Sequence, residues 1–312
     1  MKIKNKISYF LHFFLYLAMT LAFSINQVAA RDLAEIKKAG VLRHIGVSYA
    51  NFVSYYTEGD KLVPNGLDVE LMQGFAQHLG LKYEFVPAKF TTVFGLLTGQ
   101  NAKFDGEKVI FSDEIPIQGD LVASGATKLA WREEIIDFSD DYFPSGVWLI
   151  ARADSDLQPI QPSGSLNQDI IQVKSLLKDR DVLAMKQTCL DPDLYNLQAT
   201  EANIIFPPKG RKLNELVPAI LKRDAENTLL DVSDALIALQ KWPGEIKVVG
   251  PISEEQIMGV MFRKDSPELR KAFNAYLKKL RADGSYNKMV GKYYPAVFNY
   301  YGEFFSAPIE EM

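Results

Sequence analysis

The sequence predicts an α/β protein built as two domains. Three observations carry that prediction. β-rich runs alternate with amphipathic helical stretches along most of the chain, and alternation of this kind marks a sheet covered by helices. A segment rich in Pro, Ser and Gln, "DSDLQPIQPSGSLNQ" at 154–168, separates two sets of alternating elements, as a linker does. The 312 residues are 47% hydrophobic and 24% charged, without a stretch biased towards disorder or a disulfide scaffold, and a chain of this length outgrows a single core.

The elements follow in order. Lys2, Lys4 and Lys6 precede an apolar run from Ile7 to Ile25, and "NQVAA" offers small residues at Val28 and Ala30 before Arg31, so residues 1–30 read as a secretory signal peptide. The run is nearly long enough to span a bilayer, and an uncleaved N-terminal anchor is the alternative. Either reading exports the body, and a periplasmic location is expected. Asp32 then caps a short helix, "LAEIKKA", that Gly40 stops; "VLRHIGVS" is a strand, "LDVELMQGFAQHL" an amphipathic helix, and "KYEFV" a second strand, which together make a βαβ unit. "FTTVFGLL" reads as a helix. Residues 98–119 break the rhythm as an insertion, with turns around one short apolar strand and no evident role. "DLVASGAT" and "VWLIARA" resume as strands ahead of the linker.

The second set opens with the helix "DIIQVKSLLKDR" and continues through strand "VLAMKQ", a helix near "DPDLYNLQ", strand "NIIFP", helix "ELVPAILKRD", strand "NTLLDV" and helix "SDALIALQKW". After "GEIKVVG" comes a strand "IMGVMFR". Ser266 and Pro267 open a strongly amphipathic helix that Gly284 ends. The aromatic-rich tail, "YNKMVGKYYPAVFNYYGEFF", is expected to pack on a domain surface.

Composition narrows the function. Removal of residues 1–30 takes three lysines and no acid, leaving 32 basic against 39 acidic residues, a net of −7, which disfavours nucleic acid and anionic membranes as partners. The single cysteine, Cys189, excludes an intramolecular disulfide. His44 and His78, the histidines left after residue 30, have no Cys, Asp or Glu at metal-ligand spacing, and no Walker, GxSxG or dinucleotide sequence appears. The chain is read as a non-enzyme without cofactor or metal.

Binding has better candidates, at the carboxyl ends of strands where α/β proteins hold ligands. Tyr49 and Phe52 follow one strand, with rings suited to covering an organic ligand; core packing is the alternative. Gly125 and Thr127 follow another, and then comes Arg132. Its guanidinium presents a rigid planar fork of donors that fits a carboxylate, either a ligand's or that of nearby Asp137, Asp140 or Asp141 in a surface ion pair. Thr188 and Cys189 end a third strand, where a hydroxyl and free amides can receive an anion; for Cys189 a small buried apolar residue is the alternative. Asp231 ends a fourth. Ser233 is expected to cap the following helix, leaving the aspartate free of a structural duty.

Three stretches, "NGLDVELMQGFAQHLGLKYEFV", "GDLVASGATKLAWREEIIDFSDDYF" and "SPELRKAFNAYLKKLRADGSYNKMVGKYY", resemble the extracellular solute-binding proteins of family 3, the polar amino-acid binding proteins of ABC importers. The resemblance implies a type II periplasmic binding protein fold, two α/β lobes joined by two crossover strands. It places residues 31–144 and 256–312 in the first lobe and 145–255 in the second, with the crossovers near Pro144–Val147 and Pro251–Met258. It implies that Arg132 clamps a ligand carboxylate with Thr127 beside it and a backbone group of Gly125, and that Tyr49 covers the ligand with Phe52 behind it. Asp231 would receive an α-ammonium. Thr188 and Cys189 fall where the family has a Gly-Thr-Thr or Gly-Ser-Thr turn; Gln187 replaces the glycine and the Cys189 thiol the second hydroxyl. The implied protein is a monomer that closes on an amino acid or similar small zwitterion or carboxylate and delivers it to a membrane ABC permease. The same fold also resembles periplasmic cyclohexadienyl dehydratase and the non-catalytic module of a lytic transglycosylase, so an enzyme, or a sensory or accessory module for a membrane partner, is the alternative.

Overall fold

The computed structural model describes residues 31–208 and 211–306. The expected signal peptide, residues 1–30, lies outside them.

Two five-stranded sheets organise the chain into two α/β lobes. The first sheet runs in the order Lys82–Ala88, Val41–Val47, Leu121–Val122, Met261–Phe262, Asp137–Phe138. Its first three strands are parallel, and Met261–Phe262 enters antiparallel to both neighbours. The second sheet runs Asn203–Ile205, Asp181–Leu183, Asn227–Asp231, Val147–Arg152, Ile246–Pro251, parallel over the first three and antiparallel about Val147–Arg152. Between them, Phe143–Ser145 and Gln256–Met258 pair antiparallel, with Ile257 opposite Pro144. Those are the two crossover strands, and the two-lobed fold expected of the sequence is the fold observed.

Local chemistry explains how the first lobe closes on itself. Asp32 caps helix Leu33–Ala39 through a capping box with Glu35. The same carboxylate accepts from the Glu268 and Leu269 amides at 3.1 and 2.8 Å, at the start of helix Pro267–Ala282. Ser266 makes no side-chain cap there, so one aspartate satisfies orphan amides on two helices. His44 is wholly buried in strand Val41–Val47, its ring nitrogens 2.8 Å from the Tyr83 hydroxyl and 2.8 Å from the Ala123 carbonyl. Burial pulls its pKa down to about 4, so it is a neutral core residue.

Several expectations change. The run "IMGVMFR" is two strands, because the chain leaves the crossover at Gly259, where an added Cβ would stand 2.7 Å from the Lys128 side chain and 2.9 Å from the Phe138 ring. The helix expected near "DPDLYNLQ" is a pair of 3-10 turns, Pro192–Tyr195 and Leu197–Thr200, broken by Asn196 at φ 51°. The insertion at 98–119 contains two paired strands, Gln100–Phe104 and Val109–Glu114. A hairpin that sequence reading did not anticipate joins Ser54–Glu58 to Lys61–Asn65. The tail does pack as expected: Phe305 and Tyr294 lie against Phe143 of a crossover strand, with ring centroids 6.0 and 4.9 Å away.

Candidate functional site

The loops after Val41–Val47 and Leu121–Val122 in the first lobe face the turn after Asp181–Leu183 in the second, around a narrow cavity of about 40 Å³. The Tyr49 hydroxyl of the first lobe and the Ser233 hydroxyl of the second stand 3.2 Å apart, so the lobes are closed over it. Tyr49, Gly125, Thr127, Arg132, Thr188 and Cys189 all line it.

Arg132 sits in the short helix Ala130–Glu133 and is only 7% exposed. Nη1 donates to the Thr127 carbonyl at 2.8 Å, while Nε is buried without a partner. The surface ion pairs considered for it do not form: Asp137 pairs with Arg270 at 3.5 Å, Asp141 with Lys128 at 2.5 Å, and Asp140 accepts from Asn274 Nδ2 at 2.6 Å. Among the described residues no carboxylate lies within ion-pair distance of this guanidinium. Burial pulls its pKa down, and nearby Cys189, Tyr195, Tyr49 and Asp231 oppose the fall without cancelling it. The Thr127 hydroxyl beside it is likewise buried and unpartnered.

The neighbouring loop is held rigid from behind. The Gly125 amide donates to Asp68 Oδ2 at 2.8 Å, and the Tyr142 hydroxyl donates to the same oxygen at 2.9 Å. Asp68 occupies the second position of the helix that follows Gly66, which gives the Gly-x-Asp pattern a structural role that sequence reading did not assign. Burial pushes the Asp68 carboxyl up to about 7. Gly125 has φ 60°, and an added Cβ would lie 2.4 Å from the Phe52 ring. Phe52 is therefore a core residue, wholly buried and outside the cavity, with its ring stacked on Tyr49 at 5.7 Å.

In the second lobe Gln187 adopts φ 63°, the left-handed conformation that suits the glycine it replaces. The Thr188 hydroxyl is used by its own turn, donating to the Met185 carbonyl at 2.8 Å and accepting from the Leu190 amide at 3.0 Å. Cys189 is a free, buried thiol whose pKa is pushed up by burial and by Asp231 beside it.

Asp231 departs from its expected placement. It is wholly buried and does not line the cavity. It also has the structural duty that was assigned to Ser233: it is the N-cap of helix Val232–Lys241, accepting from the Ser233 amide at 3.0 Å and the Ser233 hydroxyl at 2.9 Å. Its second oxygen accepts from Ser145 of a crossover strand at 2.7 Å. Burial pushes the Asp231 carboxyl up, and these donors oppose the rise.

Sequence reading missed other parts of the site. Asp234 is buried near Asp231 with Oδ2 unpartnered, and burial followed by the Asp231 charge raises it to about 8. Trp131, Phe94, Val122 and Met261 supply apolar walls. The insertion at 98–119 backs the Arg132 side: Phe104 stacks on Trp131 at 5.7 Å and 11° between planes, and Leu194 of the second lobe packs against the same cluster. Among the described residues no cluster of His, Cys, Asp and Glu could hold a metal, and no helix is long and apolar enough to cross a membrane.

The chain is similar to the membrane-bound lytic murein transglycosylase F of Desulfosudis oleivorans, 26% identical over 86% of this chain and 51% of that relative, so it spans about half of that protein's length. It is similar to the L-cystine-binding protein TcyA of Bacillus subtilis, 28% identical over 84% of each. Among solved structures, an ancestral amino acid-binding protein, a precursor of cyclohexadienyl dehydratase, superposes with a TM-score of 0.63 at 24% identity, covering 84% of this chain and 98% of that one, a likeness of fold. The model of one family matches residues 117–296, which take in the second lobe's sheet, both crossover strands and the Arg132 loop: the chain belongs to the bacterial extracellular solute-binding proteins, family 3.

Proposed function

We propose that the protein traps a small carboxylate-bearing solute, an amino acid or a related acid, between its lobes and presents the closed form to a membrane ABC permease from the periplasm. One observation carries this reading. A buried guanidinium with a free Nε faces the cavity between the lobes, and no carboxylate of the described residues answers it. A charged donor removed from water at such cost is stabilised when a ligand carboxylate enters and makes charge-assisted hydrogen bonds. Arg132 is the anchor, Thr127 and Gly125 line the same wall, Tyr49 closes from above, and Thr188 and Cys189 form the opposite wall. Asp231 supports that wall from behind.

Closure is the working step. Solute binds the Arg132 lobe, contacts from the second lobe stabilise the shut form, and the monomer in that form is what the permease distinguishes. Native mass spectrometry of freshly purified protein tests the reading: a co-purified small acid, lost on unfolding, is expected. Titration calorimetry with Arg132→Ala is the decisive control, because unaltered affinity for that acid overturns the anchor. The likeness to a transglycosylase and to a dehydratase precursor keeps an enzymatic reading in view. It is tested by incubation with prephenate or arogenate under absorbance scanning, where no turnover is expected.

A further inference from the structure

We propose that Phe104, in the inserted hairpin and outside the cavity, is a positioning residue for Arg132: the hairpin holds the Trp131 ring, and that ring sets the plane of the guanidinium. The inference deepens the reading of Arg132 as the anion anchor and rests on it for its functional meaning.

Hydrogen bonds alone hold Arg132 poorly. Nη1 reaches the Thr127 carbonyl, Nε has no partner, and the helix Ala130–Glu133 that carries the side chain is four residues long without a side-chain cap. Its Cζ lies 5.2 Å from the centroid of the Trp131 ring, inside the range of a cation–π contact. A long side chain left free to rotate loses entropy when it orders on a solute, so a ring that fixes it beforehand raises affinity. Trp131 in turn is held by two rings. Phe94, of helix Val93–Thr98, meets it edge-on with centroids 5.5 Å apart, and Phe104 lies nearly parallel to it at 5.7 Å and 11°. Phe94 and Trp131 line the cavity; Phe104 does not, and acts on it through Trp131.

The hairpin is built to present that ring. Phe104 pairs with Val109 at the end of the ladder between Gln100–Phe104 and Val109–Glu114, next to the turn. Asp105 pins the turn, its Oδ1 accepting from the Glu107 and Lys108 amides at 2.9 Å each. Ala102, Phe104, Val109 and Ile115 all pack on the cluster that contains Trp131. Any apolar side chain would fill this space, but a ring parallel to the indole also fixes its tilt.

Proton–nitrogen NMR of the solute-stripped, refolded chain tests the positioning without a solute. The Arg132 Hε signal, identified by its disappearance in Arg132→Lys, carries the ring-current shift of the Trp131 indole. Phe104→Leu keeps an apolar side chain and should move that signal towards the position of a solvent-exposed arginine, whereas Phe104→Tyr keeps the ring and should leave it in place. A signal that stays put in Phe104→Leu while the hairpin amides and the urea midpoint change marks a packing residue only and overturns the inference; so does a signal that Phe104→Tyr fails to keep. Phe104→Met gives the same comparison where the leucine variant does not fold. Calorimetry with the standard L-amino acids as probes separates the two levels. The one that binds the parent most tightly should bind Phe104→Leu at least about threefold more weakly and Phe104→Tyr unchanged. If the NMR signal moves and that affinity does not, the positioning stands and the anchor reading falls.

Discussion

Tyr49 of the first lobe and Ser233 of the second stand hydroxyl to hydroxyl at 3.2 Å across the cleft. The contact joins the ring over the solute site to the N-terminal turn of helix Val232–Lys241, so it exists only while the lobes are shut. Tyr49→Phe keeps the ring stacked on Phe52 and removes the bond. A neutral hydrogen bond contributes roughly 1 kcal/mol. Solute affinity should therefore fall about fivefold, mostly through faster dissociation in stopped-flow measurements, with little change in the melting temperature of the solute-free protein.

On the proposed function, Arg132 trades stability for binding. Its unpaired guanidinium is a net cost to the folded chain, and Arg132→Met replaces it with a flexible apolar side chain of similar length. Thermal unfolding should show a variant as stable as the parent or more stable, by up to about 2 kcal/mol, while calorimetry shows binding of the carboxylate solute reduced by at least about a hundredfold. A variant that is less stable and still binds would sink this account.

Gly125→Ala meets two obstacles, a left-handed φ and the Phe52 ring at 2.4 Å from the new carbon. Backbone strain and overpacking together should cost about 2–4 kcal/mol in denaturant unfolding. A second change, Phe52→Leu, removes the steric part only. The double variant should recover some of the loss relative to the sum of the single changes, and strict additivity would argue against the contact.

The buried acids give the chain an inverted pH response. Asp68 and Asp234 have folded pKa values of about 7 and about 8 against an ordinary value of 3.8. Both therefore hold a proton in the folded state over a range where the unfolded chain has released it. Their contribution is present at low pH and is lost as pH rises from about 4 through the folded pKa, at up to about 1.4 kcal/mol per pH unit for each group. Asp234→Asn should flatten the fall in stability between pH 4 and pH 8 when it is compared with the parent chain by urea unfolding. An unchanged slope would contradict the burial argument.

How much of this was legible before the structure depends on how local the cause is. That Arg132, Thr127 and Gly125 line one cavity was legible because they lie within one short loop, so their neighbourhood follows from sequence distance alone. The crossovers near Pro144 and Pro251 were found through the resemblance, and the observed pair Phe143–Ser145 and Gln256–Met258 overlaps both. Asp231 was misread for a local reason: Asp and Ser are equally good caps, and only the backbone shows that the helix starts at Val232, which makes the aspartate and not Ser233 the cap. The walls were illegible for the opposite reason. Val47, Phe94 and Met261 are ordinary core types in sequence, and only the joining of distant strands sets them around one space. Residues 98–119 looked purposeless because Phe104 acquires its role from Trp131, which lies well beyond the insertion.

The strand Met261–Phe262 sits inside the first sheet, between Leu121–Val122 and Asp137–Phe138, although it emerges from the ribosome after the whole of the second sheet. Order of synthesis and order of completion are therefore reversed. The segment from Val147 to Pro251 holds every strand of its own sheet and can reach its final topology as soon as it is out. The earlier half must wait, three contiguous strands and the detached edge strand Asp137–Phe138, until the chain returns to fill the gap between them and Asp32 meets the amides of Glu268 and Leu269. A translation product cut short before residue 261 would thus contain one finished lobe and one that cannot zip shut.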